Sequence, residues 1–578
     1  MIEIKGLSGA PGRGFGKAII LENKKVSTER KTISDSCAEI HTLTNARNDY
    51  KRSLSALTES AESAKNKTEA GILNAYIEIL DDDVFFNDVE KIIRQENVCA
   101  SWAVEEKRRE TAAKFSSVDD KYLKSRVDDI NNICVGVMKK LQGISDNDSL
   151  TFAGNENFIV FAKDLTPADT VRFDRKYLKG MVTEKGGLTS HTVILAKALG
   201  IPTVVGTGPF PQGLFNEDSV LIDGTAGMVV VSPDDATRKA FETKCKENEK
   251  QQMLFYTCES RAAVTRDGFH IHVDINSGDK ESIRTFNAGS CDGIGLFRTE
   301  FVYMGQSYYP SEELQFQIYK DMAVKTGEKE LIIRTLDIGG DKQLGYMNLP
   351  KEANPFLGYR AIRLCLDRTE IFKIQLKAIL RAGVYGNVKI MFPMIANLEE
   401  VIRAKELLEE AKADLTKHNI KFKRDIPVGI MVETPAAALL SDKLAENVSF
   451  FSIGSNDLIQ YITAADRTNE LVQPVYNNHN ISFLRAVKLI SENAHRCNIS
   501  VGICGETASE PSLIPLWCAM GIDELSVAPA LVGRTKYLVG QMSRKELIPE
   551  MEKILSSGSI ENCNHCLSRI LESIDYEK

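Results

Sequence analysis

Short apolar runs alternate with longer helix-forming segments throughout the second half of the chain. Beyond Ala262 there are eight such runs, at 270–275, 293–297, 331–335, 388–392, 428–432, 450–454, 500–504 and 524–527. Strands and helices that alternate in this way are typical of a (β/α)8 barrel of the TIM type. Functional residues of that fold lie where the strands end, so the pattern also predicts which positions carry chemistry.

Polar side chains collect at or just after the ends of these runs. Those with a candidate role are Arg298, Arg334, Glu433, Asn456, Asp457 and Cys504, while Arg360 and Arg467 lie a little further along their loops. Arginine binds pairs of carboxylate or phosphate oxygens, and Mg²⁺ prefers one or two carboxylates together with phosphate oxygens and waters. Glu433 and Asp457 are the natural ligand pair, since they follow adjacent strands. Any one of these residues alone is compatible with a surface ion pair, but their joint placement indicates a site for an anion and Mg²⁺.

The first half of the chain has a different pattern of apolar and charged residues, which predicts three further parts. Short apolar strands within 1–22 and 146–231 indicate a compact α/β domain, whose N-terminal segment contributes one or two strands. Residues 23–145 read as an inserted helical subdomain, because apolar residues recur at three- and four-residue steps. The charged segment 232–260 is predicted to be a linker helix, and 261–578 the barrel.

His191 follows a tight Gly-Gly loop and opens an apolar helix that Gly200 and Pro202 should end. Ser190 is a candidate N-cap. An imidazole in the first turn of a helix lies beside free backbone N–H groups and the positive end of the helix dipole, which favour a bound anion. A neutral imidazole nitrogen is also a competent nucleophile. These features predict that His191 accepts a phosphoryl group.

The length, charge and cysteine content of the chain restrict its domain number, ligand class and compartment. A chain of 578 residues suggests two to four domains, and a formal net charge of -8 argues against nucleic-acid binding. Twelve scattered cysteines indicate reduced thiols, hence a cytoplasmic protein. Neither a signal peptide nor an apolar run long enough to cross a membrane is expected.

Several segments carry a resemblance to a known family. They are 293–301 (GIGLFRTEF), 334–342 (RTLDIGGDK), 354–360 (NPFLGYR), 391–394 (MFPM), 432–437 (VETPAA), 454–458 (GSNDL), 504–506 (CGE) and 186–191 (GGLTSH). In this order and at these separations, they resemble the enzyme I family of the bacterial sugar phosphotransferase system.

The resemblance implies a function and a role for each candidate residue. The phosphoryl group of phosphoenolpyruvate would pass to His191 and then to a histidine of the phosphocarrier protein HPr, with release of pyruvate. Cys504 would protonate the enolate, and Glu433 and Asp457 would bind Mg²⁺. The residues that would contact the substrate are Arg298, Arg334, Asn456, Asp457 and Arg467, with Lys342 and Arg360 second in rank. The helical subdomain would bind HPr, and the barrel would form a homodimer.

Some features depart from the family pattern or favour other functions. Tyr76 and Leu188 replace residues common in the family, which leaves carrier specificity and phosphohistidine handling open.

An ATP-using dikinase or synthase would need a nucleotide-binding domain with a phosphate-binding loop, and residues 9–14 lack the Lys and Ser/Thr of such a loop. A silent regulatory protein remains a further alternative. Cys563 and Cys566 have C-x-x-C spacing, which we interpret as a chance surface cluster.

Overall fold

The computed structural model forms two compact units, Met1–Lys246 and Glu247–Lys578. We describe each unit by itself. The structure describes residues 1–21, 26–63, 67–81, 83–116, 121–144, 156–170, 173–187, 190–278, 286–304, 306–340 and 344–573.

The N-terminal unit combines one eight-stranded sheet with a bundle of long helices. Its strands are β1 (Ile2–Lys5), β2 (Leu7–Ala10), β3 (Arg13–Leu21), β4 (Phe158–Ala162), β5 (Leu178–Thr183), β6 (Thr203–Val205), β7 (Ser219–Asp223) and β8 (Met228–Val231). Its helices are α1 (Ser36–Ser63), α2 (Lys67–Leu80), α3 (Asp83–Glu96), α4 (Ala100–Ser116), α5 (Lys121–Leu141), α6 (Pro167–Thr170) and α7 (His191–Leu199). Helix α8 (Asp235–Glu259) contains the boundary between the units.

The sheet joins the start of the chain to the segment after the bundle. The strand order is β1-β8-β7-β3-β4-β5-β6-β2, and β3, β4, β5 and β6 run parallel to one another. The N-terminal segment therefore forms three strands, and the prediction of one or two was wrong. Glycines at four positions in 6–14 had suggested turns there, yet this backbone pairs at both edges and in the middle of the sheet.

The helices α1 to α5 enclose a separate apolar core. Helix α5 contributes Cys134 and Val137, two members of the predicted apolar face, and both are buried. Tyr76 is also buried there, and its hydroxyl accepts a hydrogen bond from Asn132 Nδ2 at 3.0 Å. The second departure from the family pattern, Leu188, lies outside the described residues.

The C-terminal unit is a closed barrel of eight parallel strands. The strands are β10 (His270–Ser277), β11 (Gly293–Phe297), β12 (Glu330–Arg334), β13 (Asn387–Phe392), β14 (Val428–Val432), β15 (Phe450–Ile453), β16 (Ser500–Ile503) and β17 (Glu524–Val527). Each pairs with the next, and β10 closes the barrel by pairing with both β17 and β11. The short strand β9 (Ala263–Val264) pairs antiparallel with β10. The predicted α/β fold with a (β/α)8 barrel is confirmed.

Helices pack around the barrel and follow its strands along the chain. They are α9 (Glu300–Met304), α10 (Glu312–Thr326), α11 (Ile362–Asp367), α12 (Thr369–Ala382), α13 (Leu398–Lys417), α14 (Pro435–Leu439), α15 (Ser441–Ala445), α16 (Ser455–Thr463), α17 (Ile481–Arg496), α18 (Ile514–Met520), α19 (Val532–Gln541), α20 (Arg544–Ser557) and α21 (Ile560–Ser573).

The last helix corrects the interpretation of the C-x-x-C pair. Cys563 is fully buried in the main core, whereas Cys566 is partly buried against it. The pair is therefore part of the packed face of α21 and not a surface cluster, since spacings of three and four place residues on one side of a helix. Among the described residues, no helix is long and apolar enough to cross a membrane.

Candidate active site

The C-terminal ends of the barrel strands surround a cavity of about 530 Å³. Eight predicted site residues line it: Arg298, Arg334, Arg360, Glu433, Asn456, Asp457, Arg467 and Cys504. They come together because parallel strands of a barrel all end at the same face. A ninth, Lys342, lies outside the described residues.

Two buried arginines share one carboxylate at the floor of this cavity. Asp337 accepts Arg360 Nη2 at 2.8 Å through Oδ1 and lies 3.1 Å from Arg334 Nη2 through Oδ2. Arg334 also contacts Glu300. Burial alone would lower the pKa of each guanidinium, but the neighbouring carboxylates outweigh it and raise the pKa above its usual value. Both arginines therefore remain cationic, which suits an anionic ligand.

Glu433 and Asp457 form the acidic part of the site. Glu433 is only 1% exposed, and its Oε1 accepts the backbone N–H of Met394 at 2.6 Å. Asp457 Oδ1 is buried without a hydrogen bond from any described residue, and Arg467 Nη1 lies 3.4 Å from it. Burial, and then the charges of Asp457 and Asp337, raise the pKa of Glu433. A divalent cation would offset this cost of burying two carboxylates.

The donor set fits Mg²⁺ better than a metal held by protein ligands alone. Among the described residues, no group of three or more His, Cys, Asp or Glu side chains forms a metal site. Mg²⁺ takes one or two carboxylates and completes its octahedron with waters and phosphate oxygens. The pair Glu433 and Asp457 at the wall of an arginine-lined cavity matches this requirement.

Cys504 lies directly after β16 and is 2% exposed. Its Sγ lies 3.6 Å from the carbonyl oxygen of Ile453, to which the thiol can donate. Burial raises the pKa of Cys504 to about 11, while Ser452 and Arg334 act in the opposite direction. The thiol is therefore protonated at neutral pH, so it is suited to donate a proton rather than to attack as a thiolate.

Asn456 and Arg467 stand on the outer part of the cavity wall. Asn456 Oδ1 accepts the backbone N–H of Glu506 at 3.1 Å, which fixes the amide beside the loop that follows Cys504. The Arg467 side chain is 29% exposed, in contrast to the 8% of Arg334. Arg467 is therefore more open to an entering ligand.

Comparison with known proteins identifies the family. Models of phosphoenolpyruvate-utilising enzymes match three segments: the N-terminal domain at 5–126, the mobile domain at 154–227 and the phosphoenolpyruvate-binding domain at 254–544. The phosphoenolpyruvate-protein phosphotransferase of Priestia megaterium is 40% identical over 97% of each chain. The chain belongs to the phosphoenolpyruvate-protein phosphotransferase family.

A second relative of similar identity agrees with this membership. The phosphoenolpyruvate-protein phosphotransferase of Bacillus subtilis is 40% identical and covers 97% of this chain and 98% of its own. A solution structure of an Enzyme I protein is 31% identical, covers 43% of this chain and 99% of its own, and gives a TM-score of 0.38. Membership in the phosphoenolpyruvate-protein phosphotransferase family confirms the resemblance seen in the sequence and makes this chain a transferase.

In this family member, His191 is the first residue of α7 in the N-terminal unit. Ser190 occupies the predicted N-cap position in an extended conformation, but its side chain makes no capping hydrogen bond. Its Oγ is buried and has no hydrogen-bond partner among the described residues. Gly200 ends the helix, as predicted, and it adopts the left-handed conformation. His191 therefore lies in the first turn of a helix.

The sequence did not single out several residues that line the cavity or contact its arginines. Asp337 lies within the segment 334–342 but was given no role, although it joins both buried arginines. Tyr461 was missed, and its hydroxyl lies 3.3 Å from Arg360 Nη1. Tyr476 was also missed; its hydroxyl donates to the carbonyl oxygen of Asn456 at 3.2 Å. The only available signal for the two tyrosines was their position, since Tyr461 lies in α16 with Asp457 and Tyr476 lies with Arg467 between α16 and α17.

Proposed function

We propose that this chain transfers the phosphoryl group of phosphoenolpyruvate to its own His191, and then to a histidine of the phosphocarrier protein HPr. Pyruvate is released, and the transfer is the first step of sugar uptake by the phosphotransferase system. The observation that carries this proposal is the cavity at the barrel mouth, which brings four arginines together with Glu433 and Asp457. The names of the relatives support the same reaction.

The arginines bind the substrate and stabilise charge in this proposal. Arg298, Arg334 and Arg467 hold phosphate and carboxylate oxygens of phosphoenolpyruvate, while Asn456 donates a hydrogen bond. Lys342 and Arg360 make supporting contacts. Because phosphoryl transfer depends mainly on positioning and electrostatics, a rigid set of buried cations is the form of catalyst that it needs. Asp337 keeps Arg334 and Arg360 in fixed positions.

Glu433 and Asp457 would hold Mg²⁺ at the edge of the cavity. When bound, the ion neutralises charge on the phosphoryl oxygens. His191 attacks phosphorus in line through a ring nitrogen, which we assign as Nε2 on family grounds. The bond from phosphorus to the enol oxygen breaks, and the Cys504 thiol protonates the methylene carbon of the enolate to form pyruvate.

The parts of the chain are assigned to these steps by the boundaries predicted above. Residues 1–22 and 146–231 form the phosphohistidine domain, 23–145 the HPr-binding subdomain, 232–260 the linker, and 261–578 the barrel and dimerisation domain. His191 serves both phosphoenolpyruvate and HPr, so its domain moves about the linker between the two transfers. We place the protein in the cytoplasm.

Labelled phosphoenolpyruvate tests the acceptor. The protein is incubated with phosphoenolpyruvate carrying ³²P and with Mg²⁺, and acid-labile label is measured. We expect one label per chain in the wild type and none in His191→Ala. His418→Ala is the matched control, because His418 lies on the barrel surface with its side chain 59% exposed; it should be labelled as the wild type is. Acid-labile label on His191→Ala would refute the proposal.

A further inference from the structure

Cys504 lies between two cavities at the barrel mouth. The first, of about 530 Å³, is the candidate site, and a second of about 400 Å³ shares part of its wall. Cys504 and Arg298 line both cavities. Close packing fixes most buried side chains, but a residue with open space on two sides has fewer packing neighbours. The position of the thiol therefore depends strongly on hydrogen bonds to the backbone of Cys504.

The sheet holds the backbone of Cys504 on its N-terminal side only. The N–H group of Cys504 donates to the carbonyl oxygen of Ile453, the last residue of β15, at 3.1 Å. The described ladder between β16 and β17 ends with the pair Ile503 and Leu525, one residue before Cys504. The carbonyl group of Cys504 thus lies beyond the ladder. Since the residue is buried, this carbonyl group needs a donor from elsewhere.

Asn276 on β10 supplies that donor. Its Nδ2 lies 3.2 Å from the carbonyl oxygen of Cys504 and 3.1 Å from that of Ser526 on β17. Strand β17 separates β10 from β16 in the barrel, so the amide reaches across one strand to the end of the next. An amide nitrogen carries two hydrogen atoms, which allows one hydrogen bond to each carbonyl group.

Ser526 determines which way the Asn276 amide points. Ser526 Oγ donates to Asn276 Oδ1 at 2.9 Å. Carbonyl oxygens can only accept, so the amide nitrogen faces the two backbone carbonyl groups and the amide oxygen faces the hydroxyl. Gly295 on β11 leaves room for this serine, because a Cβ atom at position 295 would lie 2.7 Å from Ser526 Oγ. The amide therefore has one favourable orientation, in which it makes three hydrogen bonds.

Gly505 makes the backbone after Cys504 easy to rotate. A Cβ atom at position 505 would collide with Ser455 Oγ, so the position requires glycine. Glycine restricts backbone rotation less than any other residue. One residue further on, the N–H group of Glu506 donates to Asn456 Oδ1 at 3.1 Å. Two asparagine side chains, Asn276 and Asn456, thus hold the chain on either side of the glycine.

We propose that Asn276 is a positioning residue that keeps the Cys504 thiol directed at one face of the enolate. This inference rests on the proposed function, in which Cys504 protonates the methylene carbon. The two peptide groups that flank Cα of Cys504 set the direction of its side chain, and they are held by Ile453 and Asn276.

A thiol in a fixed position delivers its proton to a single face of the planar enolate. The C–H bond forms as the S–H bond breaks, and the negative charge passes from the enolate to sulfur. The thiolate regains a proton from solvent before the next turnover. Without the Asn276 amide, the thiol should reach the carbon less often, and protonation by solvent on either face should compete.

The configuration of the pyruvate methyl group tests this role. Phosphoenolpyruvate with deuterium at one defined position of its methylene carbon is converted in tritiated water with Mg²⁺ and HPr, and pyruvate is reduced to lactate as it forms. Chiral-methyl analysis then measures the configuration of the tritiated product. The wild type should give one configuration in large excess. In Asn276→Ala this excess should fall at least about two-fold, and the rate of pyruvate formation at least about ten-fold.

Two further variants separate positioning from a general loss of stability. Asn493→Ala also removes a buried amide, but in the helices outside the barrel, where Asn493 Nδ2 lies 2.8 Å from Ser441 Oγ. It should keep the wild-type configuration. Ser526→Ala removes only the hydroxyl that orients the Asn276 amide, so it should lower the excess in the same direction but by less.

Retention of the full excess in Asn276→Ala would overturn the proposal even if the rate fell, because a slower reaction with unchanged configuration indicates a structural role. If Asn276→Ala does not fold, Ser526→Ala decides the question, and an unchanged excess in that variant would overturn the proposal. A wild-type protein that gives no excess, or a Cys504→Ala variant that keeps it, would instead disprove the proposed function of Cys504 as the acid.

Discussion

Arg360 Nη2 lies 2.8 Å from Asp337 Oδ1, and both side chains are more than nine-tenths buried. The other oxygen of Asp337 lies 3.1 Å from Arg334 Nη2. One carboxylate thus joins two guanidinium groups at the cavity floor. Removing one partner of a buried charge pair is costly, because the other charge is left buried and uncompensated.

Asp337→Ala should therefore destabilise the barrel unit by about 3–5 kcal/mol. Urea unfolding can be followed by the fluorescence of the buried Trp517 in a Trp102→Phe background, so that the signal comes from this unit alone. The control is Asp442→Asn, an exposed residue of the same unit, which should change the free energy of unfolding by less than about 0.5 kcal/mol. A loss below about 1 kcal/mol for Asp337→Ala would contradict the bridging role.

Gly454 maintains the position of Glu433. A Cβ atom at Gly454 would lie 2.7 Å from Glu433 Oε2 and 2.8 Å from Glu433 Cβ, so Gly454→Ala must displace the carboxylate. We expect pyruvate formation to fall at least about 100-fold and the Mg²⁺ concentration for half-maximal rate to rise, since misplaced site residues cost rate on this order. Titration with Mg²⁺ at saturating phosphoenolpyruvate measures both.

Gly540→Ala is the matched control for this substitution. Gly540 lies in α19, and a Cβ atom there meets nothing within 4 Å. Alanine should therefore leave activity unchanged and stabilise the helix by about 0.5–1 kcal/mol. Equal activity of the Gly454 and Gly540 variants would show that the Glu433 position is unimportant.

The barrel and most of its mouth could be predicted because strand ends are visible in the sequence. Glu433 directly follows an apolar run, Cys504 ends another and Asp457 lies three residues beyond a third, and parallel strands bring such positions together. The contact of Asp337 with two arginines was not predictable, because it depends on side-chain directions in a loop that ends at Arg360. No periodicity encodes that geometry.

Backbone details of the site were also invisible in the sequence. Met394 donates its N–H to Glu433 from a left-handed conformation with φ of 58°, which a non-glycine residue adopts only when its surroundings impose it. At the start of the chain, by contrast, the local sequence carried a signal that led to a wrong prediction. Glycine-rich local sequence favoured turns, and tertiary pairing of the sheet overrode this preference.

Burial of Cys504 predicts slow alkylation. Since its pKa is raised to about 11, only about one thiol in a thousand is ionised at pH 8, whereas an ordinary cysteine is substantially ionised there. Cys37 is exposed and provides the internal reference. Iodoacetamide at pH 8, followed by peptide mass spectrometry, should modify Cys37 at least about 100-fold faster than Cys504. Comparable rates would show that the thiol is accessible or ionised.

A histidine outside the cavity joins three segments of the barrel unit. His479 Nε2 lies 2.9 Å from both Glu510 Oε1 and Ser512 Oγ, and Nδ1 lies 2.5 Å from Asn564 Oδ1 in α21. Carboxylate and amide oxygens only accept, so both ring nitrogens donate when the ring is protonated. Burial lowers the pKa of His479, but the bonds to Glu510 and Asn564 outweigh it and raise the pKa overall.

The barrel unit should therefore lose stability as pH rises above neutrality. When the pKa of a histidine is raised in the folded state, its stabilising contribution is fully present below the unfolded pKa of about 6.5. That contribution is lost as the pH rises through the folded pKa. Urea unfolding at pH 6 and pH 8, again followed through Trp517, should show a smaller pH effect in His479→Gln than in the wild type. His418→Gln, an exposed control, should keep the wild-type dependence. If His479→Gln kept it too, some other group would be responsible, because glutamine retains hydrogen bonding but cannot take up the proton.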